Sequence, residues 1–324
     1  MAPKSLLVFH HSGEYRKWRL EHCRVGTIIG LVSTKGNIHE GHYSLCTLSP
    51  FPSCVVTLAR QQCDVVVVSL ATNEGQFATL EEYQMFPRHP AEDLERLQEC
   101  GLVDVVLLPP VQELFKHGSQ HGARVYLQSD IVPFDYVNTD ILEGECTMLA
   151  KLLNLVTPTR VYLGQKDLVR TRVLQRMIDD LQYPIDVISI PTVRADDGAA
   201  FDARLLRLSI SQRDIVAAVY RALRTMISAY LGDMFRADVL VEQGRATLAA
   251  VGLKVNWVRV AHPFGFQDLQ EIDPAVGAVA FISITIGGVT HTDNAILAPL
   301  IPAHEQTLWS LVRSVGKSDN KPQS

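Results

Sequence analysis

The chain has 324 residues, 47% of them hydrophobic and 20% charged, with a formal net charge of −5. That length allows two domains and a large core, and the acidic balance argues against a general nucleic-acid or anionic-membrane surface. No apolar run reaches the length of a membrane span, and Leu6-Leu7-Val8-Phe9 is too brief for a signal peptide. The six cysteines are scattered, with no Cys-x-x-Cys, which suits reduced thiols in a cytoplasmic protein.

Taken in order, Glu14 to Arg24 is charged with apolar spacing and reads as a leading helix. Thr27 to Val32 is a short apolar run, read as a buried parallel strand. Cys63 to Leu70 is a second, and its continuous valines mean that both faces are covered. Pro90 to Cys100 is a helix with proline at its start and Gly101 ending it. Asp104 to Leu108 is a third strand, Glu145 to Val156 an apolar helix, Arg160 to Gly164 a fourth strand, Asp167 to Leu181 a helix and Ile185 to Ile190 a fifth strand. Strands alternating with helices predict an α/β fold, a doubly wound parallel sheet with ligands at the carboxyl ends of its strands. After Pro191 the pattern changes. Two helices, Gln212 to Leu231 and Arg236 to Val251, precede strands at Val255 to Val260 and Val279 to Ile286. The expected organisation is a Rossmann-like domain over residues 1–191, a smaller α+β lid over 192–315 with a terminal helix at His304 to Val315, and a disordered tail over 316–324.

The chemistry centres on Ser33-Thr34-Lys35-Gly36-Asn37-Ile38-His39-Glu40-Gly41-His42, which follows the first buried strand. A strand, a glycine turn and a helix start leave backbone N–H groups that favour an anion. Histidines three apart share one helix face, and Gly41 allows close approach of a nucleotide. This is the pattern of nucleotidylyl transfer, in which ATP is split between its α- and β-phosphates and histidines donate to the developing charge. A zinc site fails on spacing, one residue short of His-Glu-x-x-His, so no side-chain metal site is expected.

These residues resemble the pantothenate synthetase (pantoate–β-alanine ligase) family, from about Trp18 to Leu297. The family's Pro-Thr-Met-Gly-x-Leu-His-x-Gly-His is matched by Ser33 to His42. Its Phe-Val-Asn-Pro-x-Gln-Phe is matched by Ala71-Thr72-Asn73-Glu74-Gly75-Gln76-Phe77, and its Tyr-Pro-Arg by Phe86-Pro87-Arg88. Thr147 to Asn154, Gly164-Gln165-Lys166-Asp167, Pro191-Thr192-Val193-Arg194, Asp197-Gly198 and Asp293-Asn294 match later motifs in the same order. The resemblance implies a HIGH-type nucleotidylyl transferase fold and a two-step reaction with ATP and Mg2+. A carboxylic acid becomes an acyl adenylate, and an amine such as β-alanine then displaces AMP. It implies His39, His42, Lys166 and Arg204 as catalytic donors to the phosphates. Thr34, Lys35, Gly36, Gly41, Gly164, Asp167 and Val193 would complete the ATP site, and Asn73 and Gln76, with Arg170, the acid site. Asp167 would hold the ribose side or orient Lys166. It also implies a homodimer acting on small molecules.

The departures are informative. The family's methionine is Lys35 here, and its second acid-holding glutamine is Arg170. Its Ser-Ser-Arg-Asn is Asp202-Ala203-Arg204-Leu205, keeping only the arginine. Its Arg-Pro-x-His-Phe segment is either replaced by Asn138 to Leu142 or deleted, with Leu142-Glu143-Gly144 matching an earlier Leu-Glu-Gly. Cys46 to Val56 reads as an insertion, an extra loop or a retained intron, since Leu48-Ser49-Pro50-Phe51-Pro52 cannot continue a helix. Arg170 suits a second carboxylate on the acid, or pairs with Asp167 one turn away. The competing readings are a nucleotidyltransferase that stops at AMP transfer, and a non-catalytic relative that binds nucleotide or a partner.

Overall fold

The computed structural model describes residues 6–39, 42, 55–118, 122–128, 138–202, 208–253 and 255–300. Six parallel strands form the first sheet: β1 (Leu7–Phe9), β2 (Ile29–Thr34), β3 (Val65–Leu70), β4 (Val105–Leu107), β5 (Arg160–Gly164) and β6 (Asp186–Ile190), in spatial order β1-β4-β3-β2-β5-β6. The helices of this part are α1 (Ser12–His22), α2 (Val55–Gln62), α3 (Leu80–Met85), α4 (Pro90–Cys100), α5 (Val111–Leu114), α6 (Thr139–Val156) and α7 (Leu168–Asp180). Single 3₁₀ turns lie at Glu74–Gln76 and Gln165–Asp167.

From β2 the chain moves outward through β3 and β4, then returns to place β5 on the other side of β2. The order reverses between β2 and β5, so the helices that follow these strands leave on opposite sides and open a crevice at their carboxyl ends. β2 and β3 are in full register from Ile29↔Val65 to Thr34↔Leu70, and Val32 also faces Tyr162 of β5. Gly30 lies at the centre because there is no room for more. A β-carbon there would sit 2.7 Å from the Cys63 sulfur and 3.0 Å from the Tyr162 ring. The core on one side of the sheet is built by α6, whose Cys146, Leu149, Leu152, Leu153 and Val156 pack with Tyr15, Leu31 and Val161. On the other side α2 and Leu97 of α4 cover Val66, Val68 and Val106.

The second part holds α8 (Ile210–Leu231), α9 (Ala237–Ala249) and an antiparallel sheet in the order β7-β8-β9, from Val255–Ala261, Ala278–Ile286 and Val289–Leu297. Its helices pack Val219, Leu223, Met226 and Leu240 on the β8 face. The two parts meet where Leu168 and Val169 of α7 pack against Ala261, Phe266, Val279 and Phe281.

Among the described residues the strands and helices read from the sequence are present, with two strands and the helices α2, α3 and α5 added, while the helix expected to open at His39-Glu40-Gly41-His42 lies mostly outside them. β1 is a three-residue edge strand on β4, too short and too exposed to show a periodic run. β9 pairs with β8 from Ala278↔Leu297 to Ile286↔Val289, across Gly287 and Gly288, both at positive φ. That pair of left-handed residues is what a tight hairpin needs, and Gly-Gly is its sequence signal. Asn138 caps α6, its side chain accepting from the Asp140 N–H at 2.8 Å, so residues 139–142 are the helix's first turn rather than a separate loop. The terminal helix, the tail and most of the inserted stretch lie outside the described residues.

Candidate active site

β2 ends at Thr34, whose hydroxyl donates to the Ser69 carbonyl and accepts from the Gly36 N–H. The chain then turns through Gly36 at φ 88° and Asn37 at φ 54°. Buried Asp93, on α4, accepts from the N–H groups of Asn37 at 2.9 Å and Ile38 at 2.6 Å. The N–H groups of Asn37 and Ile38 are thus taken by an internal carboxylate, while those of Glu40 and Gly41, at the expected helix start, lie outside the described residues.

His39 and His42 do come together, with ring centroids 4.1 Å apart. The His39 N–H donates to Nδ1 of His42 at 3.3 Å, so Nδ1 is an acceptor and Nε2 of the neutral ring carries the proton. Burial pushes the His39 pKa down to about 4; Asp202 opposes this, and Lys166 and Arg96 add to it. Burial likewise lowers His42 to about 3, helped by His39 and by Arg170. Both rings are therefore neutral donors at pH 7.

Across the crevice β5 ends at Gly164, and the turn Gln165–Asp167 presents Lys166. Its ammonium lies 2.8 Å from Asp202 and 3.5 Å from Asp167. The turn is held from the second sheet: Asn294 of β9 donates to the carbonyls of Gln165 at 3.0 Å and Lys166 at 2.6 Å. Beside it, Asp293 binds Arg194 through two hydrogen bonds, 2.6 and 3.1 Å long. The Asp-Asn pair is thus a clamp between β9, the lysine turn and the chain entering the second part. Val193 lies in that entering segment, its carbonyl accepting from Phe201. Buried His291 approaches Asp202 at 3.8 Å, and neither ring nitrogen has a hydrogen-bond partner among the described residues. Gly41 and Arg204 lie outside the described residues.

The third loop follows β3. Asn73 and Gln76 flank the 3₁₀ turn, and the Gln76 side-chain oxygen accepts from the Asn73 N–H at 3.0 Å. This turn sits directly on α6, because Gly144 has no side chain: a β-carbon there would lie 1.9 Å from the Gly75 oxygen. The next residue, Glu145, is 4% exposed. One of its oxygens lies 2.6 Å from the Lys35 ammonium. The other accepts from the Gln76 amide at 2.9 Å and lies 3.0 Å from the Arg170 guanidinium. Burial raises the Glu145 pKa, but Arg170, Lys35 and the Gln76 hydrogen bond outweigh it and hold the carboxyl below its ordinary value. Arg170 therefore has a partner that neither sequence alternative named. Glu145 is its close contact, and Asp167 stands 4.0 Å away.

Sequence reasoning missed Glu145, Asp202, Asp93 and His291. The visible signal for Glu145 was a charged residue opening an otherwise apolar helix, with two unexplained cations elsewhere in the chain. Among the described residues no cluster of three or more His, Cys, Asp or Glu could hold a metal ion, and no helix is long and apolar enough to cross a membrane.

A switch-point crevice lined by paired histidines, a lysine and an amide-bearing turn, with a second α+β part clamped to it, defines a nucleotide-activating ligase of the nucleotidylyl-transferase class. Residues 7–296 match the family model described as pantoate-beta-alanine ligase, and the chain belongs to that family. A pantothenate synthetase from Chloroflexus aurantiacus is 33% identical over 296 residues, 90% of this chain and 98% of the relative. The crystal structure of pantothenate synthetase from Thermus thermophilus superposes with a TM-score of 0.79 at 28% identity, over 90% of this chain and all of that one. A Francisella tularensis pantoate-beta-alanine ligase, crystallised with beta-gamma ATP and beta-alanine, shares the fold, with a TM-score of 0.70 at 22% identity over 90% of this chain and 98% of its own. Family members are AMP-forming carbon–nitrogen ligases, and this chain is an enzyme of that kind.

Proposed function

We propose that the crevice binds ATP, activates a carboxylic acid as its acyl adenylate and transfers the acyl group to an amine such as β-alanine. The convergence of His39, His42 and Lys166 with Asn73 and Gln76, from three loops at the carboxyl ends of β2, β3 and β5, carries this reading. An oxygen of the acid attacks the α-phosphorus, the bond to the bridging oxygen breaks, and pyrophosphate leaves with the electron pair. The amine then attacks the acyl carbon, loses a proton, and AMP departs. Proximity is the first requirement, because the acid and the triphosphate repel each other. Neutral His39 and His42 supply N–H donors, and Lys166 supplies charge, where negative charge grows on the phosphates. Arg204 joins them by the family resemblance. Asn73 and Gln76 orient the acid, with Arg170 at the edge of its site. Thr34, Gly36, Gly41, Gly164, Asp167 and Val193 line the nucleotide's approach, and Lys35, from the same turn, extends its ammonium to Glu145 at the acid site.

Mg2+ fits as a companion of the triphosphate, since this ion is usually held by one or two carboxylates together with phosphates. Asp167 and Asp202, both at Lys166, are the carboxylates within that reach. When bound, the ion neutralises phosphate charge. We also propose a homodimer working in the cytoplasm on small molecules, with the break between parts after residue 191. Release of AMP and pyrophosphate from Mg-ATP, dependent on both an acid and β-alanine, tests the activity. Formation of ADP and phosphate, or no turnover with any acid, overturns it.

A further inference from the structure

Glu145 is a buried carboxylate shared by two cations, and the groups around it have a particular balance. Lys35, Arg170 and the Gln76 amide each spend a donor on it. Both Gln76 oxygens are engaged as well: the side-chain oxygen takes the Asn73 N–H, and the carbonyl takes Lys35 at 3.2 Å. Two donors stand open. Nε of Arg170 and Nδ2 of Asn73 are both buried, and neither has a hydrogen-bond partner among the described residues. Asn73 itself is 2% exposed. Buried donors without partners are costly, so such a set marks a place where a ligand supplies acceptors.

The charge points the same way. Lys35 and Arg170 share a single buried carboxylate, and the other carboxylate at Arg170, Asp167, stands 4.0 Å away, is half exposed and is shared with Lys166. A hydroxyl group, which needs an acceptor for its own proton, gains little here. A carboxylate brings acceptor oxygens and the missing charge, and a guanidinium suits its two oxygens.

We propose that Lys35, Arg170 and Glu145 make the acid site selective for an acid bearing a second carboxylate, with Glu145 the positioning residue that holds both cations at its rim. The inference rests on the ligase reading above and names the substrate class of that same site. Glu145 cannot stand in for the substrate's second carboxylate. Both its oxygens are already occupied, one by Lys35 and the other by Arg170 and Gln76.

The test measures AMP formation by the full chain with Mg-ATP and β-alanine, comparing pantoate with malate, 2-hydroxyglutarate and glutarate. The expected result is a kcat/KM for at least one diacid at least tenfold above that for pantoate. The difference resides in the KM of the acid, with the KM of ATP unchanged. Arg170→Gln and Lys35→Met, checked for a cooperative melt like the parent's, each lower kcat/KM for the diacid by tenfold or more and narrow the gap to pantoate. Arg170→Lys retains part of the preference. A parent chain that prefers pantoate, or an Arg170→Gln variant that changes all acids alike, overturns the inference and leaves the ligase reading standing. No AMP with any acid overturns both.

Discussion

In the free chain His39 and His42 are uncharged at neutral pH, which sets both their chemistry and their cost. In the proposed reaction they contribute hydrogen bonds that strengthen as charge develops on the phosphates, beside the ammonium of Lys166. The unfolded chain binds a proton at each histidine below about pH 6.5, while the folded chain resists to about 4 for His39 and about 3 for His42. Acidification through that window therefore favours unfolding, at about 1.4 kcal/mol per pH unit for each histidine while it lasts. Glu145, held ionised by its partners, loses its contribution in the same direction. The melting temperature thus falls steadily from pH 7 to pH 4.5, and His39→Asn flattens the slope; calorimetry across that range checks it. Lys166→Met removes charge at the phosphates and lowers kcat by about 10²- to 10³-fold, the typical loss for a donor at developing charge. Rapid-quench measurement of AMP formation reads it. At this scale the histidines and Lys166 were legible because the chemistry restricts residue type and spacing. Glu145 was not. A glutamate at the head of an apolar run reads as a solvent edge, and its burial depends on Lys35, Gln76 and Arg170, which are far away in sequence.

The proposed acid site is set by an element contact rather than by any one side chain. The turn Glu74–Gln76 rests on α6 at Gly144 and Gly75, backbone on backbone, and this closeness brings the Gln76 amide to Glu145. Gly144→Ala forces the turn away. Overpacking of this kind costs about 1–3 kcal/mol, and we expect a lower melting temperature with a KM for the acid raised more than that for ATP. Steady-state kinetics with each substrate varied separates the two. The parallel strands β2, β3 and β5 were readable because each is a continuous apolar run covered on both faces. β1 was hidden by its length. β9 was hidden by its polar positions, Thr290, Thr292, Asp293 and Asn294, the last two of which carry the clamp rather than the core. Residues placed for contact with another element interrupt the alternation that marks a strand.

For the molecule as a whole, the two sheets are joined by few but specific contacts. Arg194 to Asp293 is a buried paired charge, and Asn294 to the lysine turn is a pair of short hydrogen bonds. Asp293→Ala leaves the Arg194 guanidinium uncompensated and costs about 3–5 kcal/mol, read as a shift of the urea midpoint. Asn294→Ala is milder for stability, about 1–2 kcal/mol for the lost hydrogen bonds. It acts on function by loosening the turn that aims Lys166, so the KM for ATP rises severalfold while that for the acid changes less. The Asp-Asn motif was visible in the sequence, but its purpose was not, because its partners are 99 to 129 positions away.

That clamp bears on how this chain can change. The turn that carries Lys166, the proposed phosphate donor, belongs to one half and is held by the other, so the halves are not interchangeable cassettes. A chimera that takes its carboxyl-terminal sheet from a relative keeps nucleotide affinity only when an asparagine comes back to the same two carbonyls. Exchange of whole segments between lineages is constrained at that seam, as it is where Val279 and Phe281 pack on α7.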